Sequence, residues 1–198
     1  LDAGGDWPAA AAILRAQARH GAPIDMADEL LANALGGEPD DAASAGATEG
    51  RRRRAMALAR CIQAGGAMQA ALEMSIRYVG DRKQFGQALA RFQAIQHSLA
   101  VTAELVAAAE SATNFAIACV IEEGIDSDRS SAAIDAATVV VCDAIRSVHE
   151  NCHQVHGAIG YTVEYGLHHH TLDLLRWRDD LEACTGGPMR CAERLGAA

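Results

Sequence analysis

Two stretches of this chain place residues able to hold an anion at helix boundaries. The first is Asp81-Arg82-Lys83-Gln84-Phe85-Gly86, followed by Phe92-Gln93. An arginine guanidinium offers a rigid fork of donors that suits a pyrophosphate, and a neighbouring lysine adds a point charge. Phe85 is expected to anchor the turn in the core, and Gly86 permits an unusual backbone angle. Gln93 is close enough along the chain to reach the same place. The same residues also describe a solvated turn with a hydrophobic plug. The second stretch is Gln154-Val155-His156-Gly157-Ala158-Ile159-Gly160-Tyr161. Paired glycines before a capped helix start let backbone N–H groups approach an anion. Neither the spacing nor a preceding strand fits the dinucleotide fingerprint. Taken alone, the stretch equally describes a turn between bundle helices.

Other clusters carry less. His168-His169-His170 invites a metal reading, but consecutive helix side chains point about 100° apart and cannot all converge. No metal site is expected. The run Arg51-Arg52-Arg53-Arg54 opens a helix, where the macrodipole disfavours cations, so a solvated end is the plain reading. Six scattered cysteines form no C-x-x-C pair, and they are expected to be reduced core thiols in a cytoplasmic protein.

The elements that position these stretches follow from periodicity. A first helix is predicted over 7–20, capped by Asp6 with Pro8 in its first turn, and a second over 26–35, capped by Asp25. Residues 38–50 are small, acidic and aperiodic, and are expected to be a flexible linker. A third helix over 51–79 carries Leu58, Cys61, Ile62, Gly65, Met68, Leu72, Ile76 and Val79 at helical spacing. Its Gly65-Gly66 pair implies close approach by a neighbouring helix. A fourth runs over 91–123 with Phe92, Ile95, Leu99, Thr102, Val106, Ala109, Thr113, Ile117 and Val120. A fifth carries Ile134, Ala137, Val141, Ile145, Val148, Cys152 and Val155. A sixth opens at Thr162, with Glu164 as a cap, and runs to about Ala183; a short tail helix follows. The predicted fold is all-α: an antiparallel four-helix bundle over 51–198, preceded by a helical pair in 1–37 and the linker 38–50.

The 198 residues suffice for one domain with a sizeable core. A net charge of −9 argues against general binding of nucleic acid or anionic membrane. No apolar run of about 18 residues is present, so no membrane-spanning helix is expected. Alanine-rich second faces, at Ala107-Ala108-Ala109 and Ala132-Ala133, predict close helix contact between subunits.

Together, the two connections resemble the C-terminal helical domain of acyl-CoA dehydrogenases, which oxidise acyl-CoA thioesters with FAD. The matching residues are Tyr78-Val79-Gly80-Asp81-Arg82-Lys83-Gln84-Phe85-Gly86 with Phe92-Gln93, and Gln154-x-x-Gly-Ala-x-Gly-Tyr-x-x-Glu. The resemblance covers about residues 50–180; residues 8–37 look more faintly like part of the family's N-terminal helices. It implies that Arg82 and Gln93, with Phe85 in the same turn, contact the FAD of a neighbouring subunit. It places Gln154, Val155, His156, Gly157 and Ala158 against that cofactor's ADP part. Because the family's acyl-CoA pocket lies near the start of the third helix, Arg54 and Arg60 become candidates for the CoA phosphates. Ala158 stands where the family has a second glycine, and His169 where it has Lys or Arg. The family's middle β-domain has no counterpart beyond 38–50, which is expected to be either a linker or the site of a stretch missing from this sequence. The family's base position falls by spacing on Leu181, beside Glu182, and its alternative position near Met56; Glu182 is the candidate base. The resemblance implies a subunit or fragment of an FAD-dependent acyl-CoA dehydrogenase, in a homo- or hetero-oligomer with a second such chain. The rival expectation is a non-catalytic helical subunit that stabilises such an oligomer.

Overall fold

The computed structural model describes residues 6–22, 25–34 and 42–196. Helix α1 spans Trp7–Arg19 and α2 spans Met26–Ala34. The bundle helices are α3 (Ala42–Asp81), α4 (Gln93–Glu123), α5 (Asp128–His156) and α6 (Leu167–Thr185), and α7 (Gly187–Gly196) follows them. Asp6 caps α1 by accepting from Ala9 N at 3.0 Å, and Ser127 caps α5 through Ser130 N at 3.0 Å. Each cap satisfies an N–H that has no partner inside the helix.

The third helix packs against α1, α4, α5 and α6 and is the axis of the fold. Its Leu58, Ile62 and Met68 are fully buried, as are Ile134, Val141 and Ile145 of α5 and Trp177 of α6. Each such side chain stabilises the fold by roughly 1.5–3 kcal/mol. Alanines 57, 64, 67 and 71 fill the remaining positions of α3, so its neighbours approach closely. At Gly66 an added Cβ would lie 2.6 Å from the Arg15 carbonyl oxygen, whereas at Gly65 it would meet nothing. The close approach expected of the glycine pair therefore belongs to Gly66 alone. All six cysteines are free, and five are buried.

Several expectations give way. Helix α3 begins at Ala42, not Arg51, so residues 42–50 are helical rather than linker. The described residues 46–50 bury no side chain, so this first stretch carries no apolar stripe to read. Residues 35–41 lie outside the described residues. Helix α6 starts at Leu167, not Thr162, because Gly166 adopts φ 79 immediately before it; Glu164 therefore does not cap it. Ile76, assigned to the apolar stripe, is 51% exposed, and Leu99 is half-buried. Two short strands, β1 (Lys83–Gln84) and β2 (Gln87–Ala88), pair antiparallel as a hairpin. Its turn residues Phe85 and Gly86 take φ 51 and φ 80, the left-handed pair a two-residue hairpin turn requires. That geometry turns Phe85 outward: it is 90% exposed, not anchored in the core. Helix α4 is, by length and composition, apolar enough to cross a membrane, contrary to the expectation from the sequence. Its Thr102, Val106, Ala109, Thr113, Ile117 and Val120 are buried in the bundle, which accounts for part of that apolar surface as core.

Candidate functional site

The two connections meet at one end of the bundle. Helix α3 ends at Asp81, and Arg82 N donates to Tyr78 O at 2.8 Å while Leu89 N donates to Arg82 O at 2.9 Å. The backbone of Arg82 is thereby held between a helix end and the hairpin. Helix α5 ends at His156, Gly157 turns the chain at φ 62, and a 3-10 turn follows over Gly157–Tyr161. A cavity of about 520 Å³ lies between them, lined by Tyr78 and Arg82 on one side and Gln154 to Ile159 on the other. The structure thus brings Arg82 together with Gln154, Val155, His156, Gly157 and Ala158. It leaves Gln93 and Phe85 outside that lining.

The charge at this corner is free. Arg82 and Lys83 are exposed and have no carboxylate within ion-pair distance among the described residues. Gln154, Gly157 and Ala158 are exposed, and a Cβ built at Gly157 would meet open space. A guanidinium fork and an amide are donors that suit a phosphate group, and the glycine leaves room for its approach, although the Gly157 N–H itself is given to the His153 carbonyl. Val155 and His156, between them in sequence, are buried. Burial holds the His156 imidazole below its usual range, against the opposing pull of its bond to the Cys152 carbonyl.

The other candidates lie elsewhere. Arg54 pairs with Asp126 and donates to Ile125 O at 3.1 Å, and Arg51 Nε donates to the same Asp126 at 2.8 Å. Part of the basic run thus ties the start of the bundle portion of α3 to the α4–α5 turn. Arg54 also borders a second cavity of about 480 Å³, together with Arg190, Arg194 and Cys184. Arg60 is buried. Its Nη1 meets Asp25 and Gln63, and its Nε lies 2.8 Å from Asp180, within ion-pair reach though off the line of a hydrogen bond. Burial pulls this guanidinium down, and the hydrogen bonds and charge of Asp25 more than reverse it. Arg60 is thus committed to the core and is not presented to a ligand. Glu182 is exposed on the last turn of α6, 3.6 Å from Arg178. Its neighbour Asp180 pairs with Arg60, which sits about 33 Å along α3 from Arg82 at 1.5 Å per residue. Glu182 and Arg82 therefore do not share a site within one chain. Sequence reasoning missed the Arg60 network, although a charged residue beside an apolar stripe was its visible signal.

The profile of the acyl-CoA dehydrogenase C-terminal domain matches residues 53–178. The chain belongs to the acyl-CoA dehydrogenase family. The match includes both connections, so the corner lies within the family's bundle. A 3-(aryl)acrylate reductase of Clostridium sporogenes is 36% identical over 109 residues, covering 53% of this chain and 27% of the relative. This chain thus spans about a quarter of the length of such relatives. The butyryl-CoA dehydrogenase of Megasphaera elsdenii superposes with a TM-score of 0.67 at 23% identity, over 76% of this chain and 37% of that one. The ChsE4-ChsE5 complex of Mycobacterium tuberculosis superposes with a TM-score of 0.65 at 22% identity, over 79% of this chain and 39% of that one. These two likenesses concern the fold.

Proposed function

We propose that this chain is the helical part of an FAD-dependent acyl-CoA dehydrogenase assembly and completes the cofactor site of a second acyl-CoA dehydrogenase-like chain. The observation that carries this reading is the convergence of unpaired Arg82 with Gln154, Gly157 and Ala158 on one cavity. FAD, when bound in this family, supplies the oxidant for α,β-dehydrogenation of an acyl-CoA thioester. The residues of this chain would act on its phosphate part. Arg82 would hold the charge through its guanidinium, with Gln154 beside it; the Gly157 N–H is given to the His153 carbonyl, so the glycine turn would contribute close approach, and Gln93 lies outside the cavity lining. The described residues of this corner offer Arg82 and Gln154 as donors for phosphate; in this reading the partner holds the flavin ring. The ChsE4-ChsE5 structure is of a complex of those two proteins, which supports a heteromeric arrangement. Exposed Ala107, Ala108, Phe115 and Ile121 on α4 support a helix contact between subunits.

A non-catalytic role within the same oligomer is favoured by one observation: the candidate base Glu182 is exposed and paired with Arg178. Arg54, on the second cavity, remains the candidate for a CoA phosphate. The test is reconstitution with the partner co-purified from the native host, followed by FAD titration. Replacing Arg82 by Ala removes a charge-assisted contact worth about 1.5–3 kcal/mol, roughly ten- to a hundredfold in affinity. Arg82→Lys recovers part of it, because a point charge lacks the fork. Unchanged FAD affinity in Arg82→Ala, with helicity retained, overturns the half-site. Flavin bound tightly without turnover, even with acyl-CoA present, selects the non-catalytic reading.

A further inference from the structure

Among the described residues, no hydrogen bond or ion pair joins the Arg82–Gln93 segment to the Gln154–Tyr161 segment, although both border one cavity. What joins them is a stack of rings. Tyr78 and His156 lie face to face, with centroids 4.6 Å apart and planes 25° from parallel. Tyr165 closes the group, 4.8 Å from His156 and 5.7 Å from Tyr78 edge-on. Its hydroxyl reaches Met74 O on α3 at 3.5 Å.

His156 is suited to this place and not to direct contact with a ligand. It is 4% exposed, and its Nε2 is buried without a partner. Its Nδ1 lies 2.7 Å from the Cys152 carbonyl oxygen; a carbonyl only accepts, so Nδ1 carries a proton and is spent on the backbone. The following turn folds back onto it: a Cβ added at Gly160 would lie 3.0 Å from the Cβ of His156. On the other side, Tyr78 accepts the Arg82 N–H through its carbonyl at 2.8 Å. A continuous path of contacts therefore runs from Arg82 through Tyr78 and His156 to Gly157 and Gly160.

We propose that His156, clasped between Tyr78 and Tyr165, is a positioning residue that sets the distance between Arg82 and the glycine turn. The proposal rests on the half-site reading of the corner, which it deepens by naming the residue that aligns its two halves. A pyrophosphate reached by donors from two separate connections is bound well only when their spacing is held; stacked aromatic rings hold it at little conformational cost.

The test combines FAD titration of the chain co-expressed with its partner and amide hydrogen exchange of the chain alone. His156→Ala and His156→Leu are expected to weaken FAD binding about tenfold, and His156→Phe, which keeps a stacking ring, to restore most of it. The double variant His156→Ala/Arg82→Ala is expected to bind no more than a few-fold worse than Arg82→Ala, because positioning has no value once the positioned group is gone. Multiplicative losses, or failure of Phe to rescue, overturn the proposal. Exchange at Gly157–Tyr161 is expected to quicken about tenfold in His156→Leu while the amides of α5 and α6 keep their protection; unchanged exchange also overturns it. If Arg82→Ala leaves FAD affinity intact, the half-site reading falls. Faster exchange at Gly157–Tyr161 in His156→Leu then still supports the clasp, and unchanged exchange removes it as well.

Discussion

Arg60 Nη1 donates to both carboxylate oxygens of Asp25, at 2.7 and 2.8 Å, and so binds the middle of α3 to the chain just before α2. The guanidinium is 5% exposed, and Gln63, itself bonded to Gln17 at 2.7 Å, completes the arrangement. Arg60→Ala strands Asp25 and Asp180 without their counter-charge and is expected to cost about 3–5 kcal/mol in urea denaturation. A loss below about 1 kcal/mol would place the pair among weak solvated ion pairs instead.

Adjacent glycines of α3 should respond with opposite signs. Gly66→Ala drives a methyl group into the Arg15 carbonyl, which is backbone and cannot step aside. It should destabilise by about 1–3 kcal/mol. Gly65→Ala meets nothing and gains helix propensity of up to about 1 kcal/mol. Thermal melts of the two single variants distinguish these outcomes; equal shifts would mean that α1 does not pack as described.

Acid should weaken the fold in two stages. Burial lowers His149, His153, His156 and His170. A lowered folded value means that the unfolded chain binds more protons. This part of the stability is therefore fully present above about pH 6.5 and is lost as pH falls through the lowered values. Asp25 and Asp126 are also lowered: burial opposes this, but their arginine partners prevail. Their contribution is lost only below about pH 4. Stability measured against pH should show the first decline in wild type and a smaller one in His156→Phe.

Phe85 sits at the tip of the hairpin with φ 51, a conformation that costs a bulky residue of order 1 kcal/mol or more. Phe85→Gly should leave the isolated chain as stable or slightly more so. If the hairpin faces the partner, the same variant weakens assembly by about tenfold, read by sedimentation. Unaltered assembly would remove Phe85 from the interface.

The core of α5 was legible because every residue of its stripe, from Ile134 to Val155, is buried and follows the helical period. Residues 42–50 were not: the described side chains at 46–50 are all unburied, and such a stretch leaves no period. Phe85 departs from its expected place because turn geometry, not apolar area, sets its direction. Arg82 and the Gln154–Ala158 segment were legible as a pair through their resemblance to one family's two connections. The division of labour within the segment was not. Whether His156 meets a ligand or packs beneath it depends on Tyr78, far away along the chain. Arg60 likewise finds its partner 35 residues upstream, beyond any local pattern.

The free cysteines give the chain an internal clock. Cys61, Cys142, Cys152 and Cys191 are buried, and burial raises each thiol, Cys152 to about 11 and Cys142 to about 12. Only the thiolate reacts with an alkylating agent, so these sulfurs stay silent until the helices around them part. Cys152 lies in the last two turns of α5 beneath the corner, and Cys191 lies on α7, whose Arg194 pairs with Asp135 near the opposite end of α5. The order in which they become labelled therefore records which end of the molecule opens first.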